Sequence, residues 1–80
     1  MPFFYTYVIQ SQINYKLYIG WTNDLQKRLN KHNSGLVFAT KPGLPWKLVY
    51  FEGCLSKIKA ISREKTLKSG FGRKYVKSRI

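Results

Sequence analysis

The order of the patterned segments predicts an α+β domain in which a small three-stranded antiparallel sheet is flanked by helices. Two β-branched and aromatic segments come first, a third lies in the middle of the chain, and a segment with helical spacing follows both the second and the third. This β-β-α-β-α order is typical of a sheet with helices packed on it. Because 80 residues support only one hydrophobic core, residues 1–80 are expected to form a single domain.

The first two strands are predicted at residues 3–10 and 16–21, where a polar turn between them favours a hairpin. Successive side chains of a strand point to opposite faces. In the hairpin, Tyr7 and Tyr18 are therefore expected near each other on the same face. The third strand is predicted at residues 47–53, around an apolar run.

The first helix is predicted to follow the second strand directly, with Thr22 or Asn23 as its N-cap and residues 33–35 as its end. Arg28 and His32 lie four residues apart, on a row turned by about 60° from the apolar row of this helix. Both side chains are therefore expected at the edge of the buried stripe.

The second helix is predicted to begin after Ser56 and to run to about Leu67, and the basic tail from residue 71 is compatible with a further short helix. Glu64 falls inside the inward-facing arc of the second helix. A carboxylate in this position must be paired, hydrated or bound to a metal, because burying it alone is unfavourable. One explanation is a structural ion pair, for which the candidate partners are Arg28, Arg63 and Lys65. The other is a magnesium ligand, since Mg²⁺ commonly binds through one or two carboxylates together with water and substrate phosphate.

The charge of the chain points to a polyanionic partner. Lys and Arg number 15 against three acidic residues, which gives a formal net charge of +12. Because self-repulsion of this kind opposes folding, we expect nucleic acid, and DNA first, as the partner. A basic surface kept for solubility and a ribosomal or membrane-surface role are the alternatives. The candidate nucleic-acid contacts are Lys16, Lys27, Lys31, Lys41, Lys68 and Arg73.

Other classes of protein are disfavoured by what the chain lacks. One Cys allows no internal disulfide, and one Cys with one His cannot assemble a zinc site. No second carboxylate faces Glu64 as a glycosidase would require, and no Gly-x-Ser-x-Gly turn is present. The chain also has neither a charged leader nor an apolar run of about 20 residues, so we expect a cytoplasmic protein without a membrane span.

The candidate site residues also point to phosphate chemistry. Arg28 can stabilise charge on a phosphate in the transition state, and His32 can take a proton directly or through Tyr18. Each residue also has an ordinary explanation: a surface arginine, a half-buried histidine bonded to backbone, a sheet tyrosine. Their placement on one strand and the adjoining helix, with Glu64 facing them, favours a site.

These motifs resemble the GIY-YIG nuclease family. Tyr18-Ile19-Gly20 matches its second signature tripeptide letter for letter. Residues 24–35, 45–50 and 60–68 are similar to the first helix, third strand and second helix of its small stand-alone bacterial members. The resemblance spans roughly residues 4–73.

The resemblance implies a nuclease that cuts phosphodiester bonds with one divalent ion, Mg²⁺ or Mn²⁺. By position, Tyr7 corresponds to the tyrosine of the first signature, and Tyr18 to the general base or relay that activates water. Arg28 would stabilise the transition state and His32 would assist proton transfer. Glu64 would hold the metal.

The chain also departs from the family pattern. Tyr5-Thr6-Tyr7 replaces Gly-Ile-Tyr, Trp21-Thr22 stands where excision-repair members carry a lysine, and a C-terminal asparagine of some members has no clear counterpart. Our hypothesis is a small DNA endonuclease. The alternatives are a non-catalytic nucleic-acid-binding module and an accessory subunit of a larger repair or processing complex, both on the same scaffold.

Overall fold

The computed structural model describes residues 2–80 and confirms the predicted α+β class. The strands are β1 (Phe4–Ser11), β2 (Leu17–Thr22) and β3 (Trp46–Cys54), and the helices are α1 (Leu25–Asn33), α2 (Lys57–Leu67) and α3 (Gly70–Arg79), with a 3₁₀ turn at Lys41–Gly43. Each strand boundary lies within one residue of its prediction. The tail forms a full helix, α3, and Ser69 caps its start.

The strands form one antiparallel sheet in the order β2-β1-β3, so the first strand is central. Tyr7 lies opposite Gly20 of β2 and opposite Phe51 of β3, and Ile9 lies opposite Tyr18. Tyr7 and Ile9 share a face of β1, since they are two residues apart. Tyr7 and Tyr18 therefore lie on the same face of the sheet.

Helices cover both faces of the sheet. On one face, Val8 and Ile19 pack against Leu67 of α2 and Val76 of α3. On the other face, a second cluster is formed by Tyr7, Ile9 and Trp46, with Leu25 and Leu29 of α1 packed against it. Both faces of the central strand are consequently buried. No helix within residues 2–80 is long and apolar enough to span a membrane.

The N-cap of α1 is Asp24, and the prediction of Thr22 or Asn23 was wrong. Asp24 has extended backbone angles and its carboxylate accepts a hydrogen bond from the backbone N–H of Lys27 at 3.0 Å. The hydroxyl of Thr22 accepts instead from the N–H of Asp24, at 3.1 Å. The hydroxyl of Thr22 therefore stabilises the turn after β2 and does not cap the helix. The N-cap lies two residues later, at Asp24.

A cluster of charged and aromatic side chains fastens α3 to the rest of the domain. Glu52 of β3 accepts two hydrogen bonds from Arg63 of α2, at 2.8 and 2.9 Å, and one from the hydroxyl of Tyr50 at 2.6 Å. The guanidinium of Arg63 in turn lies over the ring of Tyr75 on α3, 5.2 Å from its centroid. The hydrogen bonds from Arg63 lower the pKa of Glu52, although burial acts in the opposite direction. Glu52 therefore has a structural role, as the hydrogen-bond acceptor that joins β3 to α2.

Helices α2 and α3 meet at Gly72, where the backbones touch. A Cβ built on Gly72 would overlap the carbonyl oxygen of Thr66 and the Cα of Leu67. Both are backbone atoms, so no rotamer change can relieve the overlap. By contrast, a Cβ on Gly70 would meet nothing within 4 Å.

We therefore expect Gly72→Ala to destabilise the domain by about 3 kcal/mol, because the two helices must separate to admit the methyl group. Urea unfolding followed by circular dichroism measures this effect. Gly70→Ala is the matched control in the same helix and should change the free energy of unfolding by less than about 1 kcal/mol. Equal stability of the two variants would show that α2 and α3 do not pack as described.

Candidate active site

The side chain of Tyr7 lies across the backbone of Gly20. A Cβ built on Gly20 would stand 2.6 Å from the hydroxyl oxygen of Tyr7 and 2.8 Å from its Cζ. Real Cβ atoms do not approach other heavy atoms this closely, so any larger residue at position 20 would displace the phenol of Tyr7. The glycine of Tyr18-Ile19-Gly20 thus lets the phenol of the central strand reach over the edge strand.

His32 binds the hydroxyl of Tyr7 from above the sheet. Its Nε2 lies 2.7 Å from the hydroxyl oxygen of Tyr7, and its Nδ1 lies 2.8 Å from Oγ1 of Thr40. The side chain is 0% exposed, so the expectation of a position at the edge of the buried stripe was wrong. The buried stripe of α1 runs through Leu25, Leu29 and His32, at i, i+4 and i+7. Thr40, which is also 0% exposed, is hydrogen-bonded to the far side of the imidazole ring.

Tyr7 and His32 both favour their neutral forms. Burial raises the pKa of Tyr7 well above its usual range; the nearby Tyr18 and Glu64 raise it further, and the positive charge of Arg28 opposes them. Burial lowers the pKa of His32, and the charges of Arg28 and then Lys31 lower it further. Near pH 7 the pair is consequently an uncharged phenol bonded to an uncharged imidazole.

Tyr18 and Arg28 lie beside the pair formed by Tyr7 and His32. The ring of Tyr18 meets that of His32 edge-on, with 5.1 Å between centroids, and meets Trp46 at 6.5 Å. Arg28 is half-buried and close enough to shift the pKa of both Tyr7 and His32. The structure therefore brings Tyr7, Tyr18, Arg28 and His32 together. The side-chain hydrogen bonds of His32 go to Tyr7 and Thr40 and not to Tyr18, so the phenol in contact with the imidazole nitrogen is that of Tyr7.

Glu64 lies on the inner side of α2, as its position in the arc predicted. Its side chain is 18% exposed, and Oε2 accepts a hydrogen bond from Lys68 at 2.8 Å. The expected partners Arg28, Arg63 and Lys65 were wrong: Arg63 is held by Glu52, and Lys68 stands one helical turn after Glu64, where side chains meet. The carboxylate is also near enough to Tyr7 to raise the pKa of the phenol.

The acid at this position suits a metal ion that needs few protein ligands. Within residues 2–80, no group of three or more His, Cys, Asp or Glu side chains could hold a metal together. Asp24 and Glu52 are occupied by the helix cap and by Arg63, which leaves the carboxylate of Glu64. One carboxylate with water and phosphate oxygens fits a single Mg²⁺ or Mn²⁺. Lys68 is 51% exposed, so its flexible side chain can leave the carboxylate when an ion arrives.

Two basic clefts lie beside these residues, one lined by Tyr18 and the other by Arg28. A groove of about 490 Å³ runs between β2 and α3, and its walls carry Tyr18 and four basic side chains, which are Lys16, Lys68, Arg73 and Lys77. A smaller cleft of about 220 Å³ at the start of α1 includes Lys27, Arg28 and Lys31. Five of the six predicted nucleic-acid contacts thus line these two clefts. Lys41, the sixth, lies in the 3₁₀ turn and lines neither.

Sequence reasoning missed Thr40 and Lys77. Thr40 stands in the loop between α1 and β3, eight residues after His32, and carries no local pattern that marks it as a partner. Lys77 resembles the other cations of the tail, and only the packing of α3 places it in the groove. A signal for Lys77 exists in hindsight, since it follows Arg73 by four residues and therefore shares its helical face.

Comparisons with known proteins identify the family of the chain. The family model described as the GIY-YIG catalytic domain matches residues 3–76. A UPF0213 protein of Clostridium perfringens is 43% identical over 65 residues, which is 80% of this chain and 69% of that protein. A UPF0213 protein of Streptococcus pneumoniae is 43% identical over 65 residues, covering 80% of this chain and 65% of its own length.

A solved structure gives the same result for the fold. The solution NMR structure of a UPF0213 protein from Bacillus halodurans superposes with a TM-score of 0.58 at 28% identity, over 95% of this chain and 83% of that one. The family match covers nearly all of the chain and includes Tyr7, Gly20, His32 and Glu64. The chain therefore belongs to the GIY-YIG nuclease family.

Proposed function

We propose that this protein is an endonuclease that hydrolyses phosphodiester bonds in DNA with the help of one divalent metal ion. The hydrogen bond between Tyr7 and His32 carries the proposal, because it couples a phenol at the edge of β2 to a neutral base. Arg28 and Glu64 are close enough to Tyr7 to act on its pKa, so a cation and an anion accompany this pair.

The path of proton transfer follows from the hydrogen bond between Tyr7 and His32. Tyr18 lines the groove, and Tyr7 is bonded to Nε2 of His32. We assign to Tyr18 the first contact with the attacking water. As the water gives a proton to the hydroxyl oxygen of Tyr7, the phenol proton of Tyr7 passes to Nε2 of His32, so the resulting hydroxide attacks the phosphate and the imidazole becomes imidazolium. Because the pKa of Tyr7 is raised, this phenol passes a proton on and does not persist as a phenolate.

Charge stabilisation falls to Arg28 and Glu64. The guanidinium of Arg28 lies in the cleft at the start of α1 and can bind two oxygens of a phosphate whose charge increases during attack. Glu64 would hold Mg²⁺ or Mn²⁺, which supplies Lewis-acid polarisation of the phosphate when bound. The basic side chains of the groove position the nucleic-acid backbone on either side of the reacting phosphate.

A second candidate function is a nucleic-acid-binding module without catalysis. The ion pair between Lys68 and Glu64 favours it, because an ammonium group held at 2.8 Å from the carboxylate competes with a metal. This candidate keeps the basic clefts and their salt-dependent affinity but needs no proton acceptor. Cleavage assays with and without the metal separate the two functions.

Glu64→Gln should reduce Mg²⁺- or Mn²⁺-dependent cleavage at least about 100-fold, because metal coordination supplies several kcal/mol of charge stabilisation. A panel of duplex, single-stranded and branched DNA, with RNA equivalents, measures the rate. Folding should be preserved, since an i,i+4 ion pair with a half-exposed lysine contributes only about 0.5 kcal/mol. Cleavage at the wild-type rate would exclude Glu64 as the metal ligand. No cleavage of any substrate by wild type would favour the binding module.

Arg28→Ala and Lys27→Ala should separate catalysis from binding within one cleft. We expect Arg28→Ala to lower kcat by about 100-fold or more with a smaller change in KM, since its contacts strengthen as charge develops. Lys27 is exposed on the same cleft, so its loss should weaken binding and reduce the slope of log affinity against log salt by about 1. Steady-state kinetics and fluorescence anisotropy measure both. The reverse pattern would make Arg28 a binding residue.

Acid should reduce both the rate and the stability of the protein through His32. The imidazole accepts a proton only when neutral, so kcat should fall as pH drops through its lowered pKa. In the unfolded chain the pKa of the histidine is about 6.5. Below that pH the unfolded state binds a proton before the folded state does. The free energy of unfolding therefore falls, by at most about 1.4 kcal/mol per pH unit. His32 is the one histidine of the chain, so unfolding titrations between pH 5 and 7 report on it. Stability that rises toward pH 5 would contradict a buried neutral imidazole.

A further inference from the structure

The tautomer of His32 depends on the hydrogen bonds at its two ring nitrogens. The imidazole has two hydrogen-bond partners, Tyr7 at Nε2 and Thr40 at Nδ1. A neutral imidazole has one donor and one acceptor nitrogen, so the bond at one nitrogen fixes the role of the other. The tautomer therefore decides whether His32 can accept a proton from Tyr7.

Counting acceptors identifies the tautomer. If Nδ1–H donates to Oγ1 of Thr40, the hydroxyl of Thr40 can donate to the carbonyl oxygen of Val37 at 3.4 Å, and Tyr7 donates to Nε2. All three hydrogens then have acceptors. In the opposite arrangement Thr40 donates to Nδ1 and Nε2–H donates to Tyr7, which leaves the phenol hydrogen of Tyr7 without an acceptor in residues 2–80. Buried polar hydrogens are almost always paired, so the first arrangement is favoured.

We propose that Thr40 is a positioning residue that holds His32 in its Nδ1–H tautomer, so that Nε2 can receive the proton of Tyr7. The catalytic consequence rests on the proposed nuclease function, but the tautomer itself does not. The other groups that face the imidazole do not compete for Nδ1: Tyr18 of β2 presents its ring edge-on, and Arg28 and Lys31 of α1 act only through their charges.

Besides the long hydrogen bond from its hydroxyl to Val37, Thr40 is held in the loop by its backbone carbonyl. The carbonyl oxygen of Thr40 accepts hydrogen bonds from the indole Nε1 of Trp46 at 2.6 Å and from the backbone N–H of Gly43 at 3.1 Å. Gly43 lies so close to Trp46 that a Cβ would stand 2.5 Å from its ring. Replacing the hydroxyl by a methyl group should therefore change the partner of Nδ1 and leave the backbone where it is.

Nitrogen-15 NMR of the histidine ring tests the proposal, because the single histidine gives one set of signals. At pH 7.5 the wild type should show a protonated Nδ1 and an unprotonated Nε2. Thr40→Val should abolish the predominance of this tautomer, and Thr40→Ser should restore it. Thr66→Val is the control, since the exposed hydroxyl of Thr66 bonds only to its own helix.

The same variants give a kinetic readout. Thr40→Val should lower kcat about tenfold with KM unchanged, as expected for one neutral hydrogen bond, and should alter the acid limb of the pH profile. Thr40→Ser should restore both. An Nε2–H tautomer in wild type, or an unchanged tautomer in Thr40→Val, would overturn the proposal. If the ring signals behave as expected while no variant cleaves any substrate, the role of Thr40 stands and the nuclease function falls.

Discussion

The contact between the ring of Tyr7 and the backbone of Gly20 is the constraint on which the site depends. The phenol starts on the central strand, and it reaches the edge of the sheet only because its neighbour on β2 has no side chain. At the edge its hydroxyl meets His32, and the charges of Arg28 and Glu64 come within range. Two tripeptides from paired strands therefore act as one unit: the first supplies the tyrosine and the second supplies the space. Tyr5, at the start of the first tripeptide, takes no part in this contact.

The sequence predicted the scaffold well because its information is local. Strand alternation placed Tyr7 and Tyr18 on one face, and helical spacing placed Glu64 on the inner side of α2. What it missed depends on packing across the chain. A pattern on α1 cannot show that a loop threonine will close over His32, nor that α3 will return to carry Lys77 beside β2. Capping at Asp24 was missed for a different reason, since Thr22, Asn23 and Asp24 all have side chains suited to capping and only backbone angles distinguish them.

The few acidic residues have distinct roles in so basic a chain. The three acids face 15 basic residues, so each has many possible partners. Asp24 is used by the backbone of α1, and Glu52 is bound by two hydrogen bonds from Arg63. Among the described residues 2–80, the carboxylate of Glu64 is bonded only by the flexible ammonium group of Lys68, on one of its two oxygens. A bidentate guanidinium is harder to displace than a single exposed lysine, so Glu64 is the acid whose partner exchanges most readily.

Stability alone does not explain the polar network of Tyr7, His32 and Thr40, which lies in the core cluster between the sheet and α1. Tyr7, His32 and Thr40 are all buried, in a domain too small to bury much apolar surface. A leucine at the position of His32 would continue the row of Leu25 and Leu29 and would need no partners. Every buried side-chain nitrogen and oxygen within residues 2–80 nevertheless has a hydrogen-bond partner. The buried polar network is therefore tolerated, because none of its polar atoms is left unpaired. The polar network takes the place of apolar packing and ends at the hydroxyl of Tyr7, beside the basic clefts, which is the arrangement that the proposed proton path requires.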